Sequence, residues 1–303
     1  MDKVILFGCY FFPWFHFKNT SNFKIVKFNE FFGTYAWICL HLYNNKNSLF
    51  VFTDQMLRKL ANWQIDKILN LLKKNNIKYA LYFLDTVAFY KKRDHNFFEL
   101  KIRKFDNILT YCESDAKEYN FKYVYFTFKY KNPKPKATLK YDIAYTAFCH
   151  HSKFRAEAFL NLINNKCFKQ LKSFMYLTDN YKMFTDSDTQ KYFKYKPIAN
   201  SVSRKHYLNN ANVLLYLKFI DDFPFGLREF CIVNNKKILT NSKVTYDLLN
   251  EPNKVRYIED MSKFSEEDAN WCKEIDNTPY SQHCLDLCDE TKFAENIINI
   301  IYK

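Results

Sequence analysis

The chain has 303 residues, 48% of them apolar and 19% aromatic, and it carries a formal net charge of +14. That length suits two domains of about 150 residues each. The apolar content excludes a disordered chain, and no apolar run approaches the ~20 residues of a membrane-spanning helix. Three glycines only, Gly8, Gly33 and Gly226, exclude a G-x-G-x-x-G dinucleotide loop, a Walker phosphate loop and a G-x-S-x-G nucleophile elbow.

In chain order, "KVILFGCYFF" at the start reads as a buried strand. It lacks a small-residue cleavage site, so a signal peptide is not expected and a cytoplasmic protein is. "SLFVFT" is a second strand. Ile65, Ile68, Leu69 and Leu72 follow the i, i+3, i+4, i+7 rule and predict a helix over 57–74. "IKYALYFLD" is a continuous apolar strand ending at Asp85, and "FDNILTYC" is another. Ser114 is the expected cap of a short helix "SDAKEY", and "YVYFTF" follows as a strand. "YKNPKPKATLK", with two prolines, reads as an exposed linker.

The alternation then restarts. "YDIAYTAF" is a strand, and the loop "CHHSK" leads into the helix "FRAEAFLNLINN" with Ser152 as its N-cap. "SFMYLT" is a strand, "SVSRKHYLNNA" a helix capped by Ser203, and "NVLLYLKF" a strand. A short helix around "LREFCIV" precedes the strands "KKILT" and "KVRYIED". Ser265 with Asp268 forms a capping box opening "EEDANWCKEI". A last amphipathic helix carries Phe293, Ile297, Ile300 and Ile301 on one face. Continuous apolar strands alternating with helices predict parallel sheets covered on both faces. Two such α/β units in tandem are expected: residues 1–135, residues 136–285, and a final helix over 286–303 packing back on the first.

Charge and cysteine content narrow the chemistry. Of the 46 basic residues only seven are arginine, and bidentate recognition of phosphates or base edges favours arginine. A lysine-dominated field suits an anionic membrane surface, or simply the Lys-, Asn-, Ile- and Phe-rich composition of AT-rich coding, better than sequence reading of nucleic acid. The nine cysteines are scattered and odd in number, as reduced and mostly buried thiols would be. The tight group His283, Cys284 and Cys288 lacks the second pair that a zinc site usually needs and is read as packing.

Ligands in open α/β sheets bind beyond the carboxyl ends of the strands. In the second unit, the loop after the first strand holds His150, His151, Ser152, Lys153 and Arg155 at a helix start. It is either a diphosphate cradle or a solvated basic turn. Gly226 precedes a helix carrying Arg228 and Glu229. Either the carboxylate accepts hydrogen bonds from sugar hydroxyls and the arginine pairs with phosphate, or the two form only a charge pair at the helix start. In the first unit, Asp85 ends a buried strand, where it can serve as a general base or cap the next turn.

These segments together carry a resemblance. The order "IDKILNLLKKNNIKYALYFLD", "FDNILTYCESDAKEYNFKY", "YDIAYTAF…SKFRAEAFLNLI" and "NVLLYLKFIDDFPFGLREFCIVNNKKILTNS", followed by "VRYIED", resembles the GT-B-type glycosyltransferases of bacterial lipopolysaccharide and capsule synthesis. The resemblance spans about residues 60–260 and rests on order and spacing. It departs from the family pattern at Tyr216, where an acidic residue is common, and at Pro224, where a glycine is. It implies a GT-B-like α/β fold of two Rossmann-like domains whose parallel sheets face a central cleft. By position, Lys153, Arg155, Arg228, Thr240 and Asn241 line the donor site of the second domain, and Ser242 closes the same "TNS" segment. The first domain takes the acceptor.

The activity so implied is metal-independent transfer of a sugar from a nucleotide-diphosphate donor to a glycan or lipid-linked acceptor. It needs no cofactor, and it takes place at the inner face of an anionic membrane. Asp85, Arg228 and Glu229 would serve catalysis. His150, His151, Ser152, Lys153, Arg155, Gly226, Thr240, Asn241 and Ser242 would hold the donor. No nucleic-acid partner is expected. On this reading Arg228→Ala abolishes transfer and leaves the fold intact. The rivals are a basic nucleic-acid-binding protein, marked by strongly salt-dependent binding, and a non-catalytic scaffold of the same fold.

Overall fold

A computed structural model describes residues 3–7, 22–26, 34–84, 86–125, 139–147, 153–177, 208–218 and 227–302. They fall into two compact units: Met1–Lys129 with Asp289–Lys303, and Tyr130–Cys288.

Unit 1 is built on a six-stranded sheet of β1 (Val4–Phe7), β2 (Phe23–Val26), β3 (Leu49–Thr53), β4 (Tyr79–Phe83), β5 (Ile108–Thr110) and β6 (Lys122–Tyr123). The order across the sheet is β2-β1-β3-β4-β5-β6 and every pairing is parallel. Every residue of β1, β3, β4 and β5 is buried. This explains why these strands read as unbroken apolar runs: helices cover a parallel sheet on both faces. Alternate side chains serve opposite faces. Ile5, Phe7, Phe50, Phe52, Tyr79, Leu81 and Phe83 pack against Ile38, Leu42, Ile68 and Leu72. Those four sit on α1 (Thr34–Asn44) and α3 (Asn62–Lys74). On the other face Phe23 and Tyr82 meet Phe293 of α12 (Glu290–Tyr302).

Several unit 1 expectations are corrected. The helix expected over 57–74 begins only at Asn62, as α3; Leu57 instead ends a separate short helix, α2 (Asp54–Leu57), which Thr53 caps with its hydroxyl. Ser114 does not cap α6 (Glu113–Tyr119). Cys112 occupies the cap position and makes no side-chain cap bond, and its sulfur instead lies 3.0 Å from the Ser114 hydroxyl. The edge strand β2 and the helices α1, α4 (Val87–Arg93) and α5 (His95–Lys101) were not read from the sequence.

Unit 2 holds β7 (Tyr141–Ala147), β8 (Ser173–Leu177), β9 (Ala211–Tyr216), β10 (Lys237–Thr240) and β11 (Val255–Tyr257). The order is β11-β10-β9-β7-β8, again with every pairing parallel. α7 (Lys153–Asn164) and α10 (Glu266–Lys273) cover one face through Phe159, Leu162, Ala269 and Cys272. α8 (Leu227–Val233), α9 (Lys243–Leu249) and α11 (Gln282–Asp286) cover the other through Phe230, Cys231, Leu249 and Cys284. The expected capping box of α10 is present, with Ser265 and Asp268 bonding each other's backbone N–H groups. Of the linker expected over 130–140, residues 130–138 lie outside the described residues, as does the cap at Ser203.

Candidate functional site

Strand order suggests where a candidate site would lie before any side chain is considered. In sheet order 2-1-3-4-5 the first and third strands of a unit are neighbours, and their following helices go to opposite faces. The crevice beyond their carboxyl ends is where such sheets bind ligands. In unit 2 those strands are β7 and β9, paired through Ile143 with Val213. The helix after β7 is α7, on one face; the helix after β9 is α8, on the other.

Arg155 sits in the first turn of α7, and its Nε donates to the Leu217 carbonyl at 3.1 Å, one residue past β9. The next residue, Lys218, donates its N–H to Asn241 Oδ1 at 2.8 Å. A single short segment after β9 therefore joins Arg155 to Asn241, two residues 86 positions apart in the sequence. Thr240, Asn241 and Ser242 are all buried. The Thr240 hydroxyl accepts the Ser242 N–H at 2.9 Å. Ser242 then caps α9 by accepting the Thr245 N–H at 3.0 Å and donating to the Thr245 hydroxyl at 2.8 Å. This turn is a rigid support, because each polar atom named has a local partner.

Arg228 and Glu229 lie in the first turn of α8, which packs on the opposite sheet face from α7. Both are buried, and the guanidinium binds Glu229 Oε1 through Nε at 3.1 Å and through its terminal nitrogen at 2.7 Å. This burial changes what Arg228→Ala would do. Removing the guanidinium takes a charge partner from a carboxylate in the interior, and breaking a buried ion pair in this way costs about 3–5 kcal/mol. The substitution would carry a folding defect with it, contrary to the expectation of an intact fold. Cys284 and Cys288 belong to the same neighbourhood. Burial pushes the Cys284 thiol up to about 11 and the Cys288 thiol higher still. His283 Nε2 lies 3.0 Å from the Leu248 carbonyl. The group is packing, and among the described residues no His, Cys, Asp or Glu cluster has the form of a metal site.

Lys153 is the first residue of α7. His150, His151, Ser152, Gly226 and Asp85 lie outside the described residues. The residues flanking Asp85 are fixed from two sides. Asp54, fully buried, accepts the Leu84 N–H at 3.1 Å, and Asp115 accepts the Val87 N–H at 2.9 Å. Tyr90 donates its hydroxyl to Asp54 at 2.7 Å and accepts from Arg58 at 3.0 Å. The sequence reading missed Asp54 and Asp115. Their signal is a carboxylate at a helix start after an apolar strand, first in the helix at "FTD" and third in it at "TYCESD".

No protein-family model matches the chain, and no curated protein matches it in sequence. Solved structures do. The Anabaena protein HepE in complex with UDP aligns with a TM-score of 0.48 at 8% identity, over 93% of this chain and 86% of that one. Its complex with UDP and glucose gives 0.47 over the same shares. The glycosyltransferase of kitacinnamycin aligns with a TM-score of 0.42 at 8% identity, over 89% of this chain and 79% of that one.

Proposed function

We propose that the chain is a GT-B-type glycosyltransferase whose unit 2 binds a nucleotide-diphosphate sugar beyond the carboxyl ends of β7 and β9. The observation that carries the reading is the convergence of Arg155 and Asn241 on Leu217–Lys218, with Arg228 and Glu229 opening the helix on the opposite side. Arg155, Arg228 and Asn241 are positions the sequence resemblance assigns to the donor, and the rule that open α/β sheets bind ligands beyond the carboxyl ends of neighbouring first and third strands supports the reading.

In the reaction, a base removes the proton of an acceptor hydroxyl. The oxygen bonds to the anomeric carbon, and the bond from that carbon to the diphosphate oxygen breaks. Negative charge then grows on the leaving diphosphate, and preorganised cations lower the barrier by meeting it. Arg155 and Lys153 supply that charge without a metal. Glu229, oriented by Arg228, accepts from ribose or sugar hydroxyls. Asp85, which the sequence places after the apolar run of β4, is the candidate base. The acceptor is a glycan or a lipid-linked sugar at an anionic membrane surface, in the assembly of a cell-surface polysaccharide.

Thermal unfolding with UDP, GDP, CMP, ADP and dTDP tests the donor site. A nucleotide present at about 100 times its dissociation constant stabilises the native state by about 2.7 kcal/mol. One of the five should raise the melting temperature well above the others, and Arg155→Ala should remove that rise. If all five leave the melting temperature unchanged, the reading fails.

A further inference from the structure

The helix α1 carries no charged side chain and exposes apolar ones. Its sequence, TYAWICLHLYN, holds no Lys, Arg, Asp or Glu. Ile38 and Leu42 are buried beneath it, as the inner stripe of any helix on a sheet would be. The outer stripe of a surface helix is ordinarily polar. Here it is Ala36, Leu40 and Tyr43, with Asn44 exposed at the helix end, and Leu40 is 50% and Tyr43 74% exposed. The Tyr35 ring meets Trp63 of α3 at 5.8 Å, and Trp63 is itself 55% exposed. Along α3 the exposed stripe continues as Trp63, Lys67, Leu71 and Lys74, alternating apolar and basic.

Ammonium groups sit directly on the rings. Lys67 Nζ lies 5.0 Å from the Trp63 ring centre, and Lys46 Nζ lies 5.3 Å from that of Tyr43. The acidic residue beside them, Asp66, accepts a hydrogen bond from Lys104 at 2.6 Å. The surface is thus aromatic and aliphatic at its centre and cationic around it. A second copy docked about a two-fold axis would press its lysines against these lysines. A bilayer of anionic lipids satisfies both parts: tryptophan and tyrosine rings enter the headgroup level, and lysines meet the phosphates.

We infer that the α1–α3 face of unit 1 docks on an anionic lipid surface, with Leu40, Tyr43 and Trp63 inserted and Lys46 and Lys67 on the headgroups. This gives the membrane contact of the proposed function a definite face and to that extent rests on it. The test requires no sugar transfer, so its outcome is separate from that of the nucleotide screen.

The full chain is sedimented with vesicles of phosphatidylglycerol mixed with phosphatidylcholine, and with phosphatidylcholine alone. Binding to the first and not the second is expected, weakened by added salt. Leu40→Ser/Tyr43→Ser/Trp63→Ser should bind at least about tenfold more weakly, with an unchanged melting temperature because all three side chains are half exposed or more. Lys46→Glu/Lys67→Glu is the second variant and should lose binding without removing apolar surface. A wild-type chain that stays in the supernatant overturns the inference, as does a triple variant that binds like wild type. A wild-type dimer in sedimentation velocity that the triple variant converts to monomer also overturns it, assigning the face to a second copy.

Discussion

At the residue scale, side chains do not all play the part their type suggests. The +14 charge invites the picture of a uniformly basic surface, yet three lysines of unit 2 are buried: Lys236, Lys237 and Lys254. Each ammonium is met by backbone carbonyls. Lys236 donates to Asn209 and Ala211 at 2.7 Å each, Lys237 to Glu274 at 3.0 Å and Lys254 to Asp276 at 3.0 Å. These lysines tie the 271–276 segment and the start of β9 to the sheet, so part of the net charge is structural.

His41 is a second such residue, set 4.7 Å from the Trp37 ring and 6.1 Å from that of Phe7. Its Nε2 is buried without a hydrogen-bond partner. Burial lowers its pKa first, and the Lys24 ammonium lowers it further. The folded state therefore favours the neutral ring. Its contribution to stability is complete above the unfolded value of about 6.5 and is lost as pH falls through the lower folded value. The urea midpoint should drop more between pH 7 and pH 5 in the wild type than in His41→Phe. Equal drops would show that His41 is not titrating in a desolvated site.

At the element scale, the shortage of glycine sets how helices end. A helix commonly stops at a left-handed residue, and glycine is the usual choice. Here all the described non-glycine residues of positive φ are asparagines: Asn76, Asn120, Asn235 and Asn250, at φ 52°, 57°, 51° and 49°. Asparagine tolerates that conformation better than other residues with a side chain, but less well than glycine. Asn120 closes α6 at φ 57° and ψ 36° and is exposed. Asn120→Gly should raise stability by about 0.5–1 kcal/mol, read as a higher melting temperature, and a lowered one would contradict the capping role. "NNKK" and "LLNEPN" could have been read as helix ends on this rule.

Element types were legible where burial is one-sided or the strand is central. α3 shows its 3.6 period through Ile65, Ile68, Leu69 and Leu72, all buried. β3 and β4 show continuous apolar runs. α1 shows no period, because its outward stripe is apolar as well, and nothing in its sequence separates it from a strand. β2 is four residues at a sheet edge, too short for any pattern. Ser114 looked like a cap because serine commonly is one, but the β5 register puts Cys112 at the turn and Ser114 within the helix.

At the scale of the whole molecule, the two units share one strand order. Each places its second strand outside its first and adds the later strands on the other side. Unit 1 is completed by residues from beyond unit 2. Phe293 of α12 is 1% exposed, with its ring 5.9 Å from Phe23 and 5.6 Å from Tyr82. Lys122 donates to the Ile300 carbonyl at 3.4 Å. Phe293→Ala should destabilise by about 3–5 kcal/mol. Trp37 and Trp63 belong to unit 1 and Trp271 to unit 2. Urea unfolding followed by tryptophan fluorescence should therefore show the loss chiefly in the unit 1 signal. An unchanged midpoint would mean that α12 adds nothing to unit 1.

The sequence by itself determined the α/β class, the parallel sheets and the restart of the pattern after the proline-bearing stretch. Those follow from local burial periodicity, which each segment carries within itself. It also selected Arg155, Arg228, Glu229 and Asn241, because strand ends and helix starts are visible in the chain. Only the tertiary structure decided which of them meet. Arg155 reaches Asn241 through Leu217 and Lys218, and Arg228 is buried against Glu229, because strand order and side-chain burial are set by contacts between residues far apart in the chain. The exposed stripe of α1 was decided there too, since an apolar residue declares its type in the sequence but not the side of the helix left facing water.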